Sequence, residues 1–261
     1  MKLTYLYHDC FLLEFEKCYV ITDYFSGVKI NPTSLLDNNK PCYVLVSHHH
    51  KDHFSPEIFS WASFLPNVIY IISSDVASLS RHFFNKDSIY KGHNKVDEKK
   101  VTVLRPGEAF KDSNISVTAF GSTDIGNSYV IEAEGKRIFF AGDLNAWTWR
   151  EESSPEEVNE MLNGFQAILR DIKSHFKNFN VAMFPVDPRM GNDMLEGALI
   201  FCNEFKVDYF IPMHFELWDT SEKREDFVNI VLKEGNKFLK TITSEYVPLL
   251  TSGQSFYISN K

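Results

Sequence analysis

Val44-Leu45-Val46-Ser47-His48-His49-His50-Lys51-Asp52-His53 is the stretch from which the rest of the chain can be read. The β-favouring run from Tyr43 to Val46 has the make-up of a buried strand, and the abrupt change to polar residues marks where that strand leaves the core. A strand end is a rigid platform for a site. Residues 48–53 place four imidazoles and one carboxylate on it, and the pattern His-x-His-x-Asp-His is fitted only by His48, His50, Asp52 and His53, with His49 as a bystander. Neutral imidazoles together with a carboxylate suit zinc, iron or manganese. The plainer alternative is a polar loop leading into a helix, its histidines there by chance.

Two later segments bear on that choice. Ala141-Gly142-Asp143-Leu144-Asn145 follows the strand-like run 137–140, and its glycine lets the backbone turn sharply so that Asp143 projects from a strand end. Met213-His214-Phe215 ends another apolar run, 207–212. Taken singly, Asp143 reads as a turn or cap aspartate and His214 as a structural histidine.

In this order the residues resemble the metallo-β-lactamase superfamily, and the similarity runs nearly the full length of the chain. The resemblance implies an α/β fold, a four-layer αββα sandwich. It also implies a metal set of His48, His50, Asp52, His53, Asp143 and His214, in which the His-x-His pair serves one ion, Asp52 and His53 face a second, and Asp143 bridges them. Asp23, just after an early strand, matches a structural carboxylate of the family. His8, in the turn between strands expected at 3–7 and 11–15, matches a pocket-facing histidine of the ascorbate-phosphate lactonase branch, or is simply a solvated turn residue. Full dinuclear relatives carry one more histidine before the Gly-Asp. Residues 115–143 contain none. Ser122 is the best match to the missing position. By ligand count the second metal position is expected to be the tighter one, unless Asp124 supplies an oxygen ligand to the first.

Candidate substrate contacts are His8, Asp124, Asn145, Trp147 (with Trp149, as a stacking wall or as core) and Arg189. With Asp187, Arg189 either binds an anionic group or forms a surface pair. The expected activity is hydrolysis of a small ester, lactone or phosphodiester by a metal-activated water, with one or two divalent ions (zinc, or manganese or iron) and with Asp52 and Asp143 as the catalytic carboxylates. The competing reading is a ligand-binding or regulatory protein that keeps the fold and has lost turnover.

Composition sets the outer limits. With 261 residues, 44% hydrophobic and 15% aromatic, the chain can bury a substantial core. No linker-like shift in composition divides it, so a single domain over 1–261 is expected. The net charge of -8 and the lack of a long basic cluster argue against a dedicated nucleic-acid surface. No run approaches the ~18 apolar residues of a membrane span, and the N-terminus lacks the pattern of a signal peptide. Cys10, Cys18, Cys42 and Cys202 have no Cys-x-x-Cys spacing, which suits buried thiols in a cytoplasmic protein.

Among the remaining elements, helices are expected over 55–64, 74–84, 154–176, 191–205 and 221–233. Residues 67–73, 100–104, 115–120, 128–140, 180–186 and 240–258 supply strands. Met161, Leu162, Phe165, Ile168, Leu169 and Ile172 fall at helical spacing and read as core packing.

Overall fold

The computed structural model describes residues 1–37, 39–85, 95–216, 224–243 and 245–259. The start of the expected 221–233 helix lies outside them. Two seven-stranded sheets face each other. The first contains β1 (Lys2–Tyr7), β2 (Cys10–Glu14), β3 (Tyr19–Thr22), β4 (Cys42–Val46), β5 (Val68–Ser73) and β6 (Val101–Leu104) in order, with the last strand, β14 (Ser255–Tyr257), on the outside of β1. The second runs from β7 (Ala109–Lys111) through β8 (Ser116–Phe120), β9 (Ser128–Ala133), β10 (Lys136–Phe140), β11 (Asn178–Pro185) and β12 (Lys206–Met213) to β13 (Glu245–Tyr246).

β4 shows why the apolar run had to be a strand. Its residues alternate between two cores: Tyr43 and Leu45 point between the sheets, while Cys42, Val44 and Val46 point outward under a helical layer. That outer layer consists of α1 (Ser74–Phe84) and a 3-10 segment, Pro56–Ser63, capped by Ser55. The segment was expected as an ordinary helix. The tighter coil eclipses residues three apart, which sets Ile58 and Trp61 on one buried side.

Outside the second sheet lie α2 (Pro155–His175) and α3 (Glu196–Glu204). The layers are therefore helix, sheet, sheet, helix. α4 (Arg224–Phe238) adds its buried Val231 to the core beside the second sheet. α2 starts with a full capping box, in which Ser154 Oγ accepts from the Glu157 amide and the Glu157 carboxylate accepts from the Ser154 amide. Phe165, Leu169 and Ile172 form its buried stripe, whereas Met161, expected in the core, is exposed and borders a cavity. The helix expected from 191 begins later. Asp187 and Pro188 initiate a 3-10 turn over Pro188–Asp193, and Gly191, at φ 55°, breaks the path before α3 can start.

Strand polarity positions the site. β1 and β3 are both antiparallel to β2, and β3, β4, β5 and β6 are mutually parallel, so the first sheet sends the carboxyl ends of these strands to one edge. In the second sheet β8 and β10 are both antiparallel to β9, and β10, β11, β12 and β13 are parallel. The loops after β1, β3, β4, β8, β10, β11 and β12 meet at that shared rim. Tyr129 ties the sheets together there by donating its hydroxyl to Val46 O at 2.9 Å.

Candidate metal centre

Asp143 stands where the loops converge, and its two oxygens face different histidines. Oδ2 lies 3.4 Å from His48 Nε2, while Oδ1 lies 3.1 Å from His53 Nε2 and 3.3 Å from His214 Nε2. Gly142 makes the placement possible. Its φ is 53°, and a Cβ there would stand 2.7 Å from Ser47 Cβ. On the His48 side, His50 Nδ1 is 2.9 Å from His48 Nε2 and 3.4 Å from Asp124 Oδ2. On the other side, Asp52 Oδ2 is 4.0 Å from His53 Nε2 and 3.6 Å from His8 Nε2.

Three of the inward-facing imidazoles, those of His48, His53 and His214, are held from behind. His53 Nδ1 meets Asp23 Oδ2 at 2.8 Å, His214 Nδ1 meets Asp187 Oδ2 at 3.1 Å, and His48 Nδ1 meets Ser47 Oγ at 2.9 Å. A proton on Nδ1 donated to a carboxylate leaves the Nε2 lone pair directed at the centre, the arrangement that metal-ligating histidines use. His53 Nε2 and Asp143 Oδ1 lie 3.1 Å apart, and neither atom has a well-formed hydrogen bond to any partner. These orphaned, buried donors fit a divalent cation. Two of the groupings that could hold one are His48, His50, Asp124 and Asp143, and His8, Asp52, His53 and His214.

The charges agree with the geometry. Burial opposes ionisation of Asp143, yet His53 and His214 hold its carboxyl well below the usual range. Burial pulls the two imidazoles down, but the Asp143 charge and the carboxylates behind them win, so that His53 lies well above its ordinary value and His214 reaches about 9. His8 goes the other way. Burial and the neighbouring His214 lower it to about 4.

The backbone is strained here too. Five non-glycine residues among those described have positive φ, and four of them, His8 (56°), Asp23 (35°), Trp149 (41°) and His214 (62°), surround the centre. Each costs on the order of 1–3 kcal/mol and persists only where surrounding contacts enforce it.

The other residues expected at the site are divided. His8 is buried rather than solvated, its ring 4.3 Å from that of His214. Trp147 and Trp149 are half-buried and stacked, 6.3 Å between ring centroids, and Trp147 Nε1 donates to Asp143 O. With Asp124, Met161 and Arg189 they border a cavity of about 530 Å³ above the carboxylates. Arg189 borders the cavity and pairs through Nε and Nη2 with Asp187, which is buried, so the pair is not one between two surface groups. Asn145 does not border the cavity. Gly197 leaves a space into which its carboxamide turns, and Oδ1 accepts from the Ala146 amide while Nδ2 reaches Met190 Sδ. A larger cleft of about 650 Å³, bordered by Lys206 and Asp208, opens at the amino ends of β11 and β12, away from every imidazole of the cluster.

Sequence reasoning missed Asp9 and Asp75. Asp9 is fully buried, with Oδ2 3.7 Å from His53 Nδ1 and no hydrogen bond to either oxygen, and burial pushes its carboxyl up to about 7. Its only signal was adjacency to His8. Asp75, in the first turn of α1, accepts from the His49 amide at 2.8 Å and fixes the back of the histidine loop, so His49 is an anchor.

The profile described as Beta-lactamase superfamily domain matches residues 23–215. A metal-dependent hydrolase of Methanosarcina barkeri is 30% identical over 149 residues, covering 56% of this chain and 63% of that protein, which is less than two thirds of its length. A metal-dependent hydrolase of Pelotomaculum thermopropionicum is 24% identical over 262 residues, covering 98% of this chain and 99% of that one. Among solved structures, a metallo hydrolase from the hyperthermophilic archaeon Ignicoccus hospitalis superposes with a TM-score of 0.62 at 16% identity, covering 99% of both chains. The matched span runs from the buried Asp23 to the loop of His214, and the chain belongs to the β-lactamase superfamily.

Proposed function

We propose that this protein is a metal-dependent hydrolase of a small ester, lactone or phosphodiester. The observation that carries the reading is the divided Asp143 carboxylate, one oxygen facing His48 and the other facing His53 and His214. His48, His50 and Asp143 would hold one divalent ion, and Asp52, His53, His214 and Asp143 a second. Such ions lower the pKa of bound water toward ~7 and polarise the substrate oxygen, so no nucleophilic serine is required.

The chain's own groups supply the rest. Asp52 is only partly buried, and although burial opposes it, His8 and His53 keep its carboxyl well below the usual range. An ionised carboxylate at the cavity floor can orient the attacking water, take its proton on Oδ and pass that proton to the leaving group. Arg189 offers a cation to an anionic substituent, and the stacked Trp147 and Trp149 give a flat apolar wall. The lactone option draws on the resemblance of the His8 turn to the ascorbate-phosphate lactonase branch. Among the described residues no helix is long and apolar enough to cross a membrane. A turnover-deficient binding protein is the weaker reading, because Asp124 Oδ2 stands 3.4 Å from His50 Nδ1, so the first position keeps a donor beyond His48, His50 and Asp143.

The direct test is metal analysis after reconstitution, together with assays on generic phosphodiester and lactone substrates with and without manganese or zinc. Turnover that depends on added metal is expected. Less than about 0.2 metal per chain would sink the proposal, since so many convergent donors should retain an ion.

Metal affinity should also depend on pH with a definite sign. Below about 9 His214 carries a proton that an ion must displace, and His53 behaves the same way. Affinity should therefore fall on acidification, about tenfold per pH unit for each imidazole that must lose its proton. A pH-independent metal titration between pH 6 and 8 would contradict this account of the two histidines.

A further inference from the structure

The loop that joins β8 to β9, Gly121-Ser122-Thr123-Asp124-Ile125-Gly126-Asn127, occupies the place where the family resemblance implies another histidine ligand. It is fastened at several points. At its base Ser128 Oγ donates to Gly121 O at 2.9 Å. On one side Thr123 Oγ1 donates to Asn145 O at 2.6 Å and accepts from the Asn145 amide at 3.1 Å, which ties the loop to the segment carrying Asp143. On the other side the Asn127 amide donates to Ser47 O at 2.9 Å. Gly126, at φ 76°, lies so close to the strand end that a Cβ would stand 2.1 Å from Ser47 O and 2.6 Å from His48 Cβ. No larger residue could make that approach.

Between these anchors the chain presents Asp124. Ser122, the expected stand-in for the missing histidine, instead turns its hydroxyl back to accept from the Asp124 amide at 3.3 Å. The Asp124 carboxylate makes no hydrogen bond among the described residues, and Oδ2 faces His50 Nδ1. One ligand atom from each of His48, His50, Asp124 and Asp143 lies within 4.8 Å of the others.

We propose that Asp124 is a metal ligand of the first position, giving that position two imidazoles and two carboxylates. The proposal rests on the metal-dependent reading above. An oxygen in place of an imidazole nitrogen makes the donor set harder, which favours manganese or ferrous iron relative to zinc. With His50 and Asp124 both part-exposed, this ion should also be the more readily exchanged of the two.

The test is a manganese titration of chelator-stripped protein, with free Mn²⁺ followed by electron paramagnetic resonance, a readout that needs no substrate. Wild type is expected to take up two ions. Asp124→Ala should keep one and bind the other at least roughly tenfold more weakly, a loss no smaller than that from disturbing an outer-shell partner. Asp124→His should restore the second ion and shift its preference from manganese toward zinc. A wild type that binds a single ion, weakened by Asp124→Ala, would still support the assignment. An unchanged titration in Asp124→Ala, with either one or two ions bound, would overturn the assignment and leave the hydrolase proposal standing. Wild type that binds no ion would overturn both.

Discussion

Replacing Asp143 with alanine should remove more metal affinity than any other single change at the centre, by more than about a hundredfold, since even outer-shell losses cost 10- to 100-fold. Its two oxygens face both histidine groups, and among the described residues no other carboxylate lies beside Nε2 of both His48 and His214. Asp143→Asn tests the same point with the shape preserved. It keeps one oxygen and puts an amide NH₂, which cannot ligate, on the other side. Hydrolysis should fall together with the metal. His8→Ala provides the contrast: its Nε2 reaches Asp52 but not Asp143, so the loss should stay under about tenfold, below the usual range for outer-shell partners. Metal titrations of both variants settle the order. If His8→Ala weakened binding more, Asp143 would not be the bridging group.

The second large effect concerns folding rather than chemistry. Asp23 is fully buried, accepts from Ser47 N at 2.7 Å and from Ser47 Oγ, and meets His53 Nδ1 at 2.8 Å. Truncation to alanine would leave a backbone amide, a hydroxyl and an imidazole buried without their acceptor. The cost expected for breaking such a buried charged pair is about 3–5 kcal/mol. Denaturant unfolding of the metal-free variant would show it as a lowered midpoint with an unchanged slope. Asp23→Asn should recover part of the loss, because its remaining oxygen can still accept from the Ser47 amide. A destabilisation below about 1 kcal/mol for Asp23→Ala would mean that the histidine loop is held chiefly by Asp75 and the packing of Gly126.

How far the sequence could be read depended on the range of the forces involved. The switch from Val46 to Ser47 and the spacing of residues 48–53 are local, and they place a strand and a cluster of donors without further information. Asp143 and His214 could be linked to that cluster only through their order in a family pattern, because single residues after strands carry no local signal. Contacts made across long stretches of chain were illegible. Asp9 looked like an ordinary turn residue, yet it is enclosed beside His53, and Asp75 looked like a helix-start acid, yet it fixes His49. Asn145 was misplaced because its orientation depends on the absence of a side chain at Gly197, 52 residues away in sequence. Met161 fits the helical period, but the face of α2 that packs on the sheet is narrower than the apolar stripe, and the residue is left beside the cavity. The positive φ angles at His8, Asp23 and His214 are uncommon even for aspartate and histidine, which enter that region more often than most residues, and no local pattern announced them. Places where local rules fail in this way are where a fold commits its residues to function.

The rim that gathers these loops draws them from two separate sheets, with the turns after β1, β3 and β4 on one side and those after β8, β10, β11 and β12 on the other. On the proposed reading, an ion seated there works as a suture between the two halves of the sandwich, and the metal-bound form is stabilised by mass action against unfolding. The thermal stability of the entire molecule then follows the free concentration of that ion, and so does the protein's abundance in any cell where metal supply fluctuates.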